Sequence, residues 1–191
     1  MAAGDASALE ERALVWIEPY WNAEHLRRTR DWLLELDPAA SEALRLAALT
    51  HDMERHFPGG PHLDVATQPP DDRAYREAHS ERSARIVSEW LRAQEDGDAE
   101  LVEAVEELIL LHEWGGYHAA DVLQAADSIS FLEVNDKVVA GWVREGLCST
   151  ERGVDQLRWM YERIRLPGAQ ERARPFYEQA VALVEGVPSA A

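Results

Sequence analysis

Six side chains in this sequence have types and spacing that could do chemistry together: His25, the adjacent pair His51-Asp52, His79, His112 and Asp127. A lone histidine on an apolar helix face is ordinarily a core residue bonded to a carbonyl. Here the apolar periodicity places all six inward, on successive helices. Buried imidazoles and carboxylates require partners, and a metal ion is the usual one. Neutral imidazole and ionised carboxylate are both available near neutral pH. Together they suit one or two divalent transition-metal ions, with iron, manganese, zinc, nickel and cobalt all compatible. His25, His51, Asp52 and Asp127 would form one site. His79 and His112 would form a second, sharing Asp52 as a bridge; without His79 the site is mononuclear. Two divalent ions against two aspartates leave a local charge of about plus two, which attracts phosphate and acidifies a bound water.

The elements that must position these residues are helical. Apolar residues recur at helical spacing, Pro and Gly break the pattern, and no strand pattern or internal repeat stands out. The expected fold class is all-α. A first helix is expected over about 7–18, stopped by Pro19, and a second over about 23–36 behind Asn22 as N-cap. The helix carrying His51-Asp52 should start near Pro38 and run to about Arg55. An irregular stretch from Phe57 to about Pro70 leaves directly from the His51-Asp52 end and is expected to cover the site. Helices over about 71–94 and 98–114 carry His79 and His112, and Gly115-Gly116 stops the second. A helix over about 119–134 sets Leu123, Asp127, Phe131 and Val134 at intervals of four, four and three. A carboxylate on such a stripe is not explained as a solvated residue. Helices over about 138–145, 153–164 and 175–184 close the chain, with no role expected beyond packing.

Other residues read more plainly. His56 and His62 are expected as exposed loop residues, and so is His118, the one of the three nearest the mouth of the site. Glu113 should face away from the site as a solvated or supporting carboxylate. Cys148 reads as a small buried hydrophobe. The seven tryptophans read as packing residues, with Trp114, beside His112, the one to watch.

Composition bounds the partners. The 191 residues carry a formal net charge of -17 and no basic run, which argues against a nucleic-acid polymer. No stretch approaches a membrane span, the start Met1-Ala2-Ala3-Gly4-Asp5 has no basic or apolar leader, and one cysteine cannot form an internal disulfide. A cytoplasmic protein with no membrane association is expected. Oligomeric state is not readable, and a homodimer built on the segment around Trp159, Met160 and Tyr161 is one option.

The ordered set His25, His51-Asp52, His79, His112 and Asp127, the last within Ala126-Asp127-Ser128, resembles the HD-domain superfamily of metal-dependent phosphohydrolases. The likeness implies a single HD-type helical bundle over 1–191, with a metal-binding core over about 22–135, extra helices on either side and a C-terminal extension over about 136–186. It implies His25, His51, Asp52 and Asp127 on a first metal, and His79 and His112 on a second bridged by Asp52. Arg55, three residues after Asp52, resembles in charge the lysine that contacts a substrate anion in many dinuclear members. Glu54 is one position off the glutamate of some mononuclear nucleotidases, so that role does not carry over.

The expected function is hydrolysis of a small anionic phosphorylated molecule, a nucleotide or dinucleotide, by a metal-bound hydroxide. Asp52 is the expected catalytic carboxylate. Arg55, Arg82, Arg28 and His118 are the expected substrate contacts. Two alternatives stand beside this: a di-iron HD-domain oxygenase with the same ligands, and a non-catalytic nucleotide-binding module.

Overall fold

The computed structural model describes residues 6–188; the leaderless start read in Met1–Asp5 lies outside them. Among the described residues the chain is all-α, with nine α-helices, one 3-10 turn and no strand. They are α1 (Ala8–Ile17), α2 (Ala23–Leu36), α3 (Glu42–Thr50), α4 (Arg73–Arg92), α5 (Ala99–Leu111), α6 (His118–Val134), α7 (Asp136–Arg144), α8 (Thr150–Glu162) and α9 (Ala169–Glu185). None is long and apolar enough to cross a membrane.

Helix starts follow the capping chemistry of the sequence. Ser41, Asp72, Asp98 and Ser149 each accept a hydrogen bond from the backbone N–H three residues on. At α1 the exchange is reciprocal between Ser7 and Glu10. Glu10 is fully buried and also accepts from Arg30 of α2 and Arg45 of α3 at 3.1 and 2.9 Å. One carboxylate thus ties three helices together.

The centre of the molecule is α6. It is buried on nearly every side, from Val122 through Ser130, and packs against α2, α3, α5, α7, α8 and α9. Small residues, Ala125, Ala126, Ser128 and Ser130, let these neighbours approach. Helices α2 and α6 lie along each other, α4 pairs with α5, and α8 with α9 closes the far side.

Two boundaries differ from expectation. The helix expected from Pro38 to Arg55 starts at Glu42 and ends at Thr50; Met53–His56 is a separate 3-10 turn. The break is held by Ser83 of α4, which donates to the His51 carbonyl and accepts from the Glu54 N–H. The last helix runs from Ala169 rather than Pro175, with Pro175 inside it. A proline there forgoes one backbone bond, and burial of Ala173, Ala180 and Val184 keeps the helix intact across it.

Candidate metal centre

Five helices converge on one buried cluster. His25 comes from the first turn of α2, His51 from the end of α3, His79 from the middle of α4, His112 from the end of α5 and Asp127 from the middle of α6. Asp52 sits between α3 and the 3-10 turn. All six expected ligands are buried. The imidazoles form a chain, His25–His51–His112–His79, with ring centroids 5.4, 5.1 and 5.4 Å apart. Adjacent positions on an α-helix diverge by about 100°. The break after Thr50 allows both His51 and Asp52 to join the cluster.

Three overlapping triads each bring donor atoms within 4.8 Å: His25, His51 and Asp52; His51, His112 and Asp127; Asp52, His79 and His112. Asp52 belongs to the first and third, the position expected of a bridging carboxylate.

The far side of each ring fixes its proton. Nδ1 of His51 lies 3.1 Å from the Ala48 carbonyl and Nδ1 of His112 lies 2.6 Å from that of Ile109. Nδ1 of His79 lies 2.9 Å from Oε1 of Glu54. Nδ1 of His25 lies 2.9 Å from Oγ of Ser130, whose own proton goes to the His25 carbonyl. Each partner is an acceptor, so each neutral ring carries its proton on Nδ1 and turns the Nε2 lone pair inward.

The inward side is the test of whether a metal fits. Nε2 of His79 lies 3.0 Å from Oδ1 of Asp52 and Nε2 of His51 lies 3.4 Å from Oδ1 of Asp127. Neither nitrogen makes a hydrogen bond. A buried lone pair facing a carboxylate oxygen is repulsive unless a cation stands between them, and buried polar atoms without partners are uncommon. Nε2 of His25 lies 3.1 Å from the same Asp127 oxygen. This nitrogen-and-oxygen donor set fits a divalent transition metal.

A shell of guanidiniums surrounds the carboxylates. Arg55 donates to Asp52 at 2.9 Å and to the Tyr75 hydroxyl at 2.6 Å. Tyr20 donates to the other Asp52 oxygen at 3.3 Å. Arg163, from the end of α8, binds Oδ2 of Asp127 and also Glu113, while its Nε donates to Ser128 at 2.8 Å. Arg76 of α4 holds the other Glu113 oxygen at 2.9 Å. The two guanidiniums lie on the Trp159 ring, 4.1 and 4.6 Å from its centroid. Asp127 therefore has one oxygen occupied by Arg163 and the other turned to His25 and His51.

These contacts set the charges. Burial alone would raise the pKa of Asp52, Glu113 and Asp127. It is outweighed by Arg55 at Asp52, by Arg76 and Arg163 at Glu113, and by Arg163 and His51 at Asp127, so all three stay well below the usual carboxylate range. Burial pushes His112 down to about 4, so its lone pair is free at neutral pH. For His51 burial acts the same way, but the Asp127 carboxylate outweighs it and raises the pKa.

The cluster forms one wall of a cavity of about 400 Å³, whose lining includes His25, Asp52, His112, Asp127 and Arg55. Pro61 to Val65 of the irregular segment after Phe57 line the same cavity. The segment is strapped down. Arg82 binds the Phe57 and Pro58 carbonyls, Arg76 the Pro70 carbonyl, and Arg152 the Gln68 carbonyl. At Gly60 a side chain would strike Arg82 and Glu54.

Several expectations are corrected. Arg28, Arg82 and His118, expected at the substrate, do not line this cavity. Arg28 is bound to Glu133 and Asp31, Arg82 to Glu54 and the loop, and His118 is exposed at the start of α6. Glu113 does not face away: it is buried, with Oε1 3.7 Å from Nε2 of His112 and 4.0 Å from Nε2 of His79. The cause is that α5 ends at Leu111, so Glu113 leaves on a turn rather than on the outer face. The closing helices do more than pack, since Arg163, Met160, Gln156 and Trp142 all line the cavity. His62, Trp21 and Trp142 line it too, whereas Trp114 lies outside it. Arg76 and Tyr75 carried no sequence signal, their partners being distant in the chain.

Comparisons with protein-family models, curated proteins and solved structures found no match to this chain. What the fold and site define by themselves is an all-α chain with a buried His/Asp cluster that could hold a metal.

Proposed function

We propose that the chain is a metal-dependent phosphohydrolase acting on a small phosphorylated molecule. The observation that carries this is the orientation of the histidines: all four Nδ1 atoms meet acceptors, turning the Nε2 lone pairs toward Asp52 and Asp127 in a cavity wall. The two aspartates and the shared position of Asp52 favour two ions over one. When bound, the ions supply Lewis acidity, acidifying water and stabilising charge on phosphoryl oxygens.

The chain's own residues supply the rest. Arg55 lines the cavity with Nε and Nη1 already held by Asp52 and Tyr75. Its remaining nitrogen would serve a phosphoryl oxygen, a group to which guanidinium is well matched. Arg163 and Arg76 keep Asp127 and Glu113 ionised and fixed. Hydrolysis breaks the P–O bond to the organic alcohol and forms one to a water oxygen; the alcohol leaves with a proton from that water.

The test is phosphate release from a panel of phosphomonoesters and phosphodiesters by the metal-loaded chain. Asp52→Ala should reduce turnover to background and lower metal content while leaving the helical circular dichroism intact. Unchanged turnover in folded Asp52→Ala protein contradicts the proposal. Product formation that consumes oxygen would replace it with the di-iron oxygenase alternative, and failure to retain any metal would leave a binding module.

A further inference from the structure

We infer that the substrate carries one anionic head on an apolar body, as in a phosphorylated aromatic or short aliphatic compound. The head rests on the phosphohydrolase reading; the body follows from the cavity alone.

The cavity lining is of two kinds. The histidines, aspartates and Arg55 come from α2 to α6 and the turn after α3. The rest of the lining mixes apolar side chains, Phe131, Val138, Trp142 and Met160 among them, with the polar Asn135 and Gln156. An apolar body loses nothing there and gains from leaving water.

Charge points the same way. The guanidiniums lining the cavity are those of Arg55, Arg76 and Arg163, and each is already bound to Asp52, Glu113 or Asp127. The rim adds the exposed carboxylate of Asp64. A second phosphate, as in a dinucleotide or nucleoside diphosphate, would meet no uncommitted cation.

Exposure supplies an independent sign. Trp21 and Leu147 are 67% and 50% exposed, among the most exposed large apolar side chains of the described residues, and both line this cavity. Their position at its mouth suits the entry of an apolar ligand. Asn135 is buried, lines the cavity, and its Oδ1 has no hydrogen-bond partner. A single hydroxyl or amine on the body would satisfy it.

The test is calorimetric binding of non-hydrolysable phosphonates to the full chain, anaerobically, with and without Mn²⁺. The probes are methylphosphonate, benzylphosphonate and the methylenephosphonate analogue of adenosine monophosphate. With Mn²⁺, benzylphosphonate should bind at least about tenfold tighter than methylphosphonate, and tighter than the nucleotide analogue. Trp142→Ala and Leu147→Ser should each remove most of the benzyl advantage and leave methylphosphonate affinity unchanged. Leu147 is half exposed, so Leu147→Ser gives a folded variant should Trp142→Ala not fold. Equal affinity for the methyl and benzyl compounds, or preference for the nucleotide analogue, overturns the inference. A failure of the phosphohydrolase reading looks different: methylphosphonate would bind no better with Mn²⁺ than without it, the benzyl preference remaining.

Discussion

Asp127 shows how much of a candidate metal site is made by residues that need never touch an ion. Its Oδ1 faces His25 and His51 because Arg163 occupies Oδ2, and Arg163 is itself steered by Ser128 and Trp159. Removing such a support typically lowers metal affinity about 10- to 100-fold. Arg163→Ala should therefore weaken Mn²⁺ binding by that factor with helical content retained; an unchanged Kd would show that Asp127 is held by other contacts. Glu54→Gln addresses the opposite side. It replaces the carboxylate at His79 Nδ1 by an amide that still offers an acceptor oxygen, so metal content should fall less than in Glu54→Ala, compared by elemental analysis. The six clustered positions were legible because most are polar residues on an apolar stripe. Glu113, Arg76 and Arg163 were not. Arg163 acts across 36 and 50 residues of sequence, and no spacing rule reports a pairing at that range.

Among the helices, the joint most open to test is Glu10, which binds α1 to α2 and α3. Burial would raise its pKa, but the Ser7 N–H and the Arg45 and Arg30 guanidiniums outweigh that and lower it. A carboxylate with a depressed folded-state pKa stabilises the fold above its unfolded pKa, near 4.5, and that contribution is lost as pH falls through the lower folded value. Glu10→Gln should cost about 2 kcal/mol at pH 7, since it breaks partly exposed pairs at a buried carboxylate. In urea titrations the gap from wild type should narrow below pH 4.5; a gap independent of pH would mean that the charge is not what matters. The helices themselves were largely legible. Ala23–Leu36 falls on the expected range, and the caps Asp98 and Ser7 fall at or beside the expected starts. The misreadings share one cause, tertiary contact overriding local pattern. Ser83 ends α3 before Asp52, and packing carries α9 through Pro175.

Over the whole molecule, charge is arranged by region. The chain carries a formal net charge of -17, yet at the site Arg55, Arg76, Arg82 and Arg163 stand against Asp52, Glu54, Glu113 and Asp127. With the histidines neutral, these eight groups balance, so the charge of any bound ion is left over to attract an anion. The measurement that tests this most directly is metal content per chain by elemental analysis, on anaerobically purified wild type and His79→Ala. The arrangement of triads predicts about two equivalents in the wild type and about one in the variant, because His79 serves only the triad it shares with Asp52 and His112. A wild type that retains no metal, or a content that His79→Ala leaves unchanged, would contradict a dinuclear centre.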